Sequence, residues 1–202
     1  MDAPKVSPVD LRFMDSALAL AFSALGTTAP NPAVGCVLVK DGMVVGQGVT
    51  APGGRPHAET QALAKAGSDA RGATAYVTLE PCAHTGKTPP CARALIEAGI
   101  ARCVVACRDP FAEVNGRGLA MLVEAAITVV EDVRRAQAEI LNLGFFTRLK
   151  SGHALEVIDP REGLVDASLT LKDGQTREEL LHEAAQSGLT RVRILRRAET
   201  QR

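Results

Sequence analysis

Apolar residues recur at helical spacing in the first part of the chain. From residue 11 to residue 25 they lie three or four positions apart, which predicts a helix over residues 10–25 that ends at Gly26. A short apolar run follows over residues 36–40, and the Asp41-Gly42 pair after it is a strong signal for a tight turn, so residues 43–49 are predicted to be the returning strand. The segment after the first helix is therefore predicted to be a β-hairpin.

Amphipathic segments and short apolar runs then alternate along the chain. The pattern predicts helices over residues 57–66, 91–98, 119–126 and 131–150, and strands over residues 73–79, 102–106 and 127–130. Helical crossovers between strands place those strands parallel. The sequence thus predicts an α/β layered domain over residues 1–150, with a sheet that is mostly parallel after the hairpin.

The pattern changes after residue 150. Residues 151–163 are polar and rich in turn-forming residues, and only one strand within residues 166–174, a helix over 177–186 and a strand over 190–195 are predicted beyond them. About fifty residues cannot easily bury an independent core. We therefore expect residues 151–202, called the C-terminal appendage below, to be a short α+β segment that either packs on the first domain or is the remnant of a larger domain.

Composition excludes several classes of function. The chain of 202 residues carries 23 basic and 23 acidic side chains, so its net charge is zero, and it has one Tyr, five Phe and no Trp. A protein that binds nucleic acid normally has a basic excess and aromatic residues for stacking. The apolar stretch over residues 17–25 is too short to span a membrane. We therefore expect neither a nucleic-acid partner nor a membrane.

Five cysteines are present and no signal peptide precedes them. An odd number of cysteines without a secretion signal favours a reducing compartment, so we expect a cytoplasmic protein whose cysteines bind metal or pack in the core.

Three short motifs carry candidate chemistry. His57-Ala58-Glu59 opens a predicted helix, Pro81-Cys82 follows a predicted strand, and Cys91 opens the next helix after two prolines. One His and two Cys give zinc three protein ligands and leave the fourth tetrahedral position open, as catalytic zinc sites require. Helix starts favour negative charge, which supports a thiolate at Cys91. The order of the motifs predicts a hydrolytic Zn²⁺ site with His57, Cys82 and Cys91 as ligands.

Glu59 is the candidate proton carrier of this site. Zinc lowers the pKa of a bound water molecule to about 7, and a nearby carboxylate can accept the water proton and deliver it to a departing amine. Residues two apart on a helix point in different directions. The hypothesis therefore requires His57 to lie in the first turn of its helix or at the cap, and the sequence alone permits this without proving it.

Longer motifs resemble a known family. The segments PCAHTGKTPPC, NPAVG, GGRPHAE and GFFTRLKSG resemble the deaminase half of the bifunctional deaminase–reductase of riboflavin biosynthesis, over about residues 9–152. The resemblance implies a three-layer α/β/α cytidine-deaminase-like fold with a central mixed five-stranded sheet. It also implies Zn²⁺ held by His57, Cys82 and Cys91, with Glu59 as proton shuttle. The implied substrate is a phosphorylated ribosylamino diaminopyrimidinone, which loses one ring amine by hydrolysis.

The resemblance also implies where the substrate is bound. The implied contacts are Asn31, His84, Lys87 and Asp109. A flexible lysine ammonium suits a phosphate, so Lys87 is the predicted phosphate contact. The chain departs from the family pattern at Phe111, where the family has an Asn, and at Thr50, where it often has a His. These departures leave the predicted metal chemistry intact and affect only the substrate contacts.

Alternative functions remain open at this stage. The chain could act on a different small nucleobase-like or nucleotide substrate, or be a non-catalytic family member that keeps zinc for folding, although such a member has no use for Glu59. The family's reductase domain needs some two hundred residues and only about fifty follow GFFTRLKSG, so we expect no reductase activity. Self-association and a separate reductase partner are left undecided.

Overall fold

A mixed five-stranded sheet organises the chain up to residue 130. The computed structural model describes residues 6–83, 89–110, 116–158 and 162–195. The strands are β1 (Gly35–Lys40), β2 (Met43–Val49), β3 (Thr74–Val77), β4 (Arg102–Val105) and β5 (Thr128–Val130). They are arranged in the order β2-β1-β3-β4-β5. The predicted α/β class and the implied five-stranded sheet are confirmed.

Strand directions follow from the connections. β1 is antiparallel to both β2 and β3, whereas β3, β4 and β5 are mutually parallel. The β1–β2 turn has φ of 51° at Asp41 and 76° at Gly42. Positive φ at both central residues is the two-residue hairpin geometry that an Asp-Gly pair favours. The predicted hairpin, and a sheet that is parallel after it, are therefore both observed.

Helices cover both faces of the sheet. Those of the described residues are α1 (Pro8–Ser23), α2 (Ala58–Ala66), α3 (Cys91–Ala98), α4 (Arg117–Glu124), α5 (Arg135–Leu141), α6 (Leu143–Ser151) and α7 (Arg177–Gln186). Helix α1 packs on β1 and β3 and contacts α5, while α2 packs on β1 and β2 and contacts α3, which contacts α4. The implied three-layer arrangement is present. No helix within the described ranges is long and apolar enough to cross a bilayer.

Two glycines of β2 determine how closely α2 approaches the sheet. A Cβ atom on Gly46 would lie 2.2 Å from the carbonyl oxygen of Ala62, and one on Gly48 would lie 2.1 Å from that of Ala58. Real Cβ atoms do not tolerate such distances, so only glycine lets the helix backbone rest on the strand. Because α2 starts at Ala58, the Gly48 contact fixes the position of the beginning of the helix.

A buried carboxylate ties α1 to the sheet. Asp10 is 2% exposed, forms a capping box with Ser7, and accepts hydrogen bonds from the Tyr76 hydroxyl (3.0 Å) and from both terminal nitrogens of Arg102 (2.5 and 3.1 Å). Burial acts to raise the pKa of Asp10, but the hydrogen bonds from Arg102, Ser7 and Tyr76 outweigh it and hold that pKa well below its usual value. Asp10 is therefore ionised in the folded protein and connects α1 with β3 and β4.

The single long helix predicted over residues 131–150 is wrong. Asp132 and Arg134 have φ of 63° and 64°, so α5 begins only at Arg135, and the chain breaks again at Asn142 between α5 and α6. The Asn142 side chain is 2% exposed, and its Oδ1 accepts a 3.0 Å hydrogen bond from the Ala33 amide. A buried side-chain hydrogen bond to a distant segment thus anchors the residue at which α5 ends and α6 begins.

The C-terminal appendage forms a second, smaller sheet. Strands β6 (Leu155–Glu156), β7 (Ala167–Thr170) and β8 (Arg191–Leu195) are parallel, in the order β6-β8-β7, and α7 precedes β8. The predicted helix and the two later strands are observed, while β6 was not predicted. The sheet lies against α6, where a Cβ on Gly144 would approach the Thr190 carbonyl oxygen to 2.7 Å. The division at residue 150 stays a prediction, and α6 continues to Ser151.

Replacing Gly48 by alanine should destabilise the protein, because the new methyl group collides with the Ala58 carbonyl. We expect the free energy of unfolding to fall by about 3 kcal/mol, the upper end of overpacking costs in cores. Urea denaturation of Gly48→Ala measures this. The matched control is Gly163→Ala, because Gly163 is exposed and no described atom lies within 4 Å of its added Cβ. That variant should stay within about 0.5 kcal/mol of the wild type, and equal losses in the two would contradict the prediction.

Asp10→Asn should cost about 3 kcal/mol, because it leaves the partly buried Arg102 without its counter-charge. The pKa of Asp10 is lowered on folding, so its contribution exists above the unfolded pKa of about 4 and disappears as the pH falls through the folded value. Thermal and urea unfolding between pH 7 and acid should therefore show the two proteins converging below about pH 4. Asp15→Asn removes an exposed α1–Arg134 pair and should cost under about 1 kcal/mol; a comparable loss would argue against the buried network.

Candidate functional site

His57, Cys82 and Cys91 converge at one point near the carboxyl end of β3. Their ligand atoms all lie within 4.8 Å of one another. His57 Nδ1 is 3.2 Å from Cys91 Sγ and 3.8 Å from Cys82 Sγ. Tetrahedral zinc with ordinary Zn–N and Zn–S bonds places such atoms about 3.6 Å apart. The three side chains therefore fit a zinc ion, with the open fourth position that three protein ligands leave.

The start of α2 presents His57 and Glu59 to the same side. His57 is the N-cap residue of α2, with extended backbone (φ −69°, ψ 160°), and Glu59 is the second residue of the helix. Two residues that are two positions apart within a helix point in different directions. His57 lies outside the helix with an extended backbone, so this restriction does not apply to the His57 and Glu59 side chains. The condition stated for the sequence motif, with His57 in the first turn or at the cap, is met.

The start of α3 brings the two cysteines together. Cys91 is the first residue of α3, and its backbone amide donates a 3.3 Å hydrogen bond to Cys82 Sγ. The next amide, of Ala92, donates to the Cys82 carbonyl oxygen at 3.2 Å. These amides belong to the unpaired first turn of a helix and favour negative charge in front of them. The fold therefore stabilises a thiolate at Cys82.

The ionisable groups of the site shift in the directions that this arrangement requires. Hydrogen bonds from Cys91 and His57 lower the pKa of Cys82 to about 4 despite burial, while the bond to Cys82 and burial raise the pKa of Cys91. The same Cys82 contact raises the pKa of His57. Burial of Glu59, which is 4% exposed, raises its pKa to about 7. A divalent cation bound by these three side chains would hold them deprotonated.

A cavity of about 330 Å³ opens beside the three ligands. His57, Glu59 and Cys82 line it, so a molecule in the cavity can reach both the metal position and the carboxylate. Its volume lies at the lower end of the range for small-molecule sites. A larger groove of about 1470 Å³ runs along α5 and α6, and none of the described residues that line it is one of the three ligands. The smaller cavity is the one placed for chemistry.

Two of the four predicted substrate contacts line this cavity. Asn31 does so from the loop before β1, where its Nδ2 donates to the Gly53 carbonyl oxygen at 3.3 Å, and Asp109 does so from the loop after β4. His84 and Lys87 lie outside the described residues, as does Phe111. Thr50 also lines the cavity, and its hydroxyl accepts a 3.0 Å hydrogen bond from the Val34 amide.

The remaining cysteines take no part in the cluster. Cys36, Cys103 and Cys107 are buried in the core, and all five cysteines of the chain are free of disulfides. Burial raises the pKa of each of these three thiols. They are therefore packed as neutral, apolar side chains.

The sequence reasoning missed two charged residues of the cavity wall. Glu80 is 4% exposed, and its carboxylate accepts hydrogen bonds from the amides of Asp109, Gly116 and Gly118, which fixes Asp109 relative to the start of α4. The sequence signal that could have identified Glu80 is an acidic residue directly after an apolar strand. Arg148, on α6, also lines the cavity. No local pattern distinguishes it from the solvated basic residues near it.

Comparison with known proteins gives the family. Residues 7–107 match the cytidine and deoxycytidylate deaminase zinc-binding region, a span that includes His57, Glu59, Cys82 and Cys91. The chain belongs to this deaminase family. The expectation of zinc is thereby confirmed, because the matched region is the zinc-binding one and its His–Cys–Cys group has the geometry of a metal site.

Individual relatives extend the family assignment. The chain is 53% identical over 146 residues to the riboflavin biosynthesis protein RibD of Haemophilus influenzae. The aligned region covers 72% of this chain and 39% of that protein. The chain is 46% identical over 143 residues to the diaminohydroxyphosphoribosylamino-pyrimidine deaminase of Buchnera aphidicola, covering 71% of this chain and 97% of that protein. The chain thus spans about two fifths of the RibD relative and nearly all of the shorter deaminase.

Similarity of structure reaches further along the chain than similarity of sequence. A crystal form of Acinetobacter baumannii RibD superposes with a TM-score of 0.80 and 28% identity, covering 93% of this chain and 80% of that one. The sequence matches to the Haemophilus and Buchnera proteins cover only about seven tenths of this chain. The resemblance seen in the sequence motifs is therefore confirmed, and the structural similarity extends beyond them into the C-terminal appendage.

Removing one ligand should remove the metal. We expect the purified protein to bind one zinc ion per chain, and Cys82→Ala to weaken zinc binding by more than about 100-fold, since even indirect support of a ligand is worth 10–100-fold. Elemental analysis and competition with a chromogenic chelator measure both quantities. Cys103→Ala is the control, because Cys103 is equally a cysteine but buried in the core. Unchanged zinc affinity in Cys82→Ala would contradict the ligand assignment.

Proposed function

We propose that the chain hydrolyses one ring amine of a phosphorylated ribosylamino diaminopyrimidinone to a carbonyl, a deamination in riboflavin biosynthesis. The observation that carries the proposal is the position of Glu59, a buried carboxylate beside the His57–Cys82–Cys91 cluster and in the wall of the same cavity. A zinc site that served folding alone would have no use for such a group. The activity for which the Buchnera relative is named supports the choice of substrate, because the chain matches that protein over 97% of its length.

The proposed reaction exchanges a C–N bond for a C–O bond. When bound by His57, Cys82 and Cys91, zinc supplies Lewis-acid activation of water. Glu59 accepts a proton from the attacking water molecule at a carboxylate oxygen while the water oxygen adds to the ring carbon that carries the amine. The same carboxyl group then delivers that proton to the amine nitrogen, and the C–N bond breaks with loss of ammonia. The proton of the hydroxyl group left on the ring carbon passes to the adjacent ring nitrogen as the carbonyl forms. A carboxyl pKa near 7 suits a group that both accepts and donates a proton at neutral pH.

Cavity-lining polar residues are proposed to orient the substrate. Asn31 and Asp109 offer an amide and a carboxylate to the base and the ribose, and both lie in the cavity wall. His84 and Lys87 are proposed as further contacts on the motif PCAHTGKTPPC alone. Glu80 acts through other residues, because its oxygens are occupied by the three backbone amides of the Asp109 loop and α4.

The proposal also includes the binding partners of the protein and its cellular compartment. The partner is a small nucleotide-like molecule, and the product passes to a reductase that is a separate partner or domain. Five free cysteines, two of them in a metal site, support action in a reducing cytoplasm.

Glu59→Gln should abolish most deamination while leaving the metal in place. The amide keeps the shape of the side chain but cannot accept the water proton, so we expect kcat to fall by about 10²- to 10⁴-fold. Ammonia release from the ribosylamino diaminopyrimidinone phosphate, followed without nicotinamide, measures this alongside zinc content. Glu97→Gln serves as the control, because Glu97 is exposed on α3 and pairs only with Arg93 among the described residues.

The outcomes of this assay separate the candidate functions. Rapid release by the wild type that is lost in Glu59→Gln would support the proposal. No release by zinc-loaded wild-type protein would overturn the riboflavin assignment and leave a different small amino-substituted ring, or a non-catalytic zinc protein, as the alternatives. Release that persists in Glu59→Gln would overturn the role of Glu59.

A further inference from the structure

Arg148 is a half-buried cation in the wall of the site cavity. Among the described residues, no carboxylate lies within ion-pair distance of its guanidinium. The carboxylate of Glu80, which lines the same cavity, already accepts hydrogen bonds from three backbone amides. Removing a charge from water is unfavourable unless it is paired, so a half-buried guanidinium without a carboxylate partner suits an anion that enters from the cavity.

The C-terminal appendage holds Arg148 in place. Arg148 Nε donates a 2.9 Å hydrogen bond to the Ala185 carbonyl oxygen in the last turn of α7, and that oxygen also accepts from the Gly188 amide at 3.0 Å. A helix C-terminus carries partial negative charge and attracts a cation. The bond uses one of the five guanidinium N–H donors. Within the described part of the chain, no hydrogen bond occupies the terminal Nη groups, so they are left for a ligand.

The same appendage contacts the loop that carries Asn31. A Cβ atom on Gly188, which follows α7, would lie 3.2 Å from the Cβ of Pro30, the residue before Asn31. The turn after α7 thus contacts the loop that carries a proposed substrate contact, while the end of α7 binds Arg148. Arg55 also lines the cavity and is exposed, which adds a second positive side chain to the wall.

We infer that Arg148 binds the phosphate of the substrate, and that α7 serves the site by fixing the guanidinium toward the cavity. The inference rests on the proposed function for the identity of the substrate, a phosphomonoester of a ribosylamino pyrimidine. Two parallel N–H donors of a guanidinium match two phosphate oxygens, which a single lysine ammonium cannot do. Arg148 is therefore a substrate-binding residue that acts at the end of the substrate remote from the reacting amine.

The decisive comparison uses the substrate with and without its phosphate. Losing a charged hydrogen-bonding group typically costs about 10- to 100-fold in binding. Arg148→Met should raise KM for the phosphorylated substrate by that factor, with kcat changed by less than about threefold. It should leave kcat/KM for the dephosphorylated riboside unchanged. Arg148→Lys should recover part of the loss, and Lys150→Met, at an exposed position on the same helix, should behave as the wild type.

A structural role for Arg148 gives a different result. If the residue only tethers α7, Arg148→Met will change kinetics equally for the phosphorylated and dephosphorylated substrates and will lower the melting temperature. That outcome overturns the inference. So does an unchanged KM for the phosphorylated substrate in Arg148→Met.

A binding measurement keeps this inference separate from the deamination itself. Calorimetry with ribose 5-phosphate should show binding to the wild type and a 10- to 100-fold loss in Arg148→Met. If no ammonia is released from either substrate but ribose 5-phosphate still binds through Arg148, the proposed function fails and the phosphate site stands. Equal binding of ribose 5-phosphate to wild type and Arg148→Met overturns the phosphate site even if deamination occurs.

Discussion

The contact between the backbone of α2 and two glycines of β2 is the constraint on which the rest of the site depends. With Gly46 and Gly48 beneath it, the helix lies on the strand with no side chain between them. The start of α2 therefore lies at a fixed distance from the sheet. This position places the N-cap His57 and the buried Glu59 beside the two cysteines. A helix displaced by even one methyl group would carry both residues away from the cysteines together.

The two cysteines reach that point by a different route. Cys82 follows β3 and Cys91 opens α3, so they come from two ends of one loop, and the first amides of α3 bind the Cys82 sulfur and carbonyl. The buried Glu80 carboxylate binds the amides of Asp109, after β4, and of Gly116, before α4. Helix starts and carboxyl ends of parallel strands meet here, which is where α/β sheets generally place their ligands.

Local signals predicted much of this arrangement. The Asp-Gly turn, the helix over residues 91–98 and the helix over residues 177–186 are present as predicted, because turn residues and caps act within a few residues of chain. The first helix begins at Pro8, two residues earlier than predicted, because Ser7 and Asp10 form a capping box. The three candidate zinc ligands were identified from the order of their motifs, which is also a property of the linear sequence, and the fold brings them together.

Features that depend on distant contacts were not predictable in this way. The helix predicted over residues 131–150 is divided by the bond from Ala33 to Asn142, and β6 is only two residues long and exists through its pairing with β8. Arg148 belongs to the site because a helix 37 positions later in the chain binds its Nε. No sequence pattern around residue 148 predicts this contact, so it can be identified only from the structure.

The Arg148–Ala185 hydrogen bond joins the cavity to the small parallel sheet of the C-terminal appendage. Because binding free energies are reciprocal, an anion that orders Arg148 also favours the docked state of α7, and whatever loosens α7 weakens the anion by the same amount. The small sheet would then influence how strongly the cavity binds an anion. Docking of α7 and occupancy of the cavity by an anion are then linked in one thermodynamic cycle.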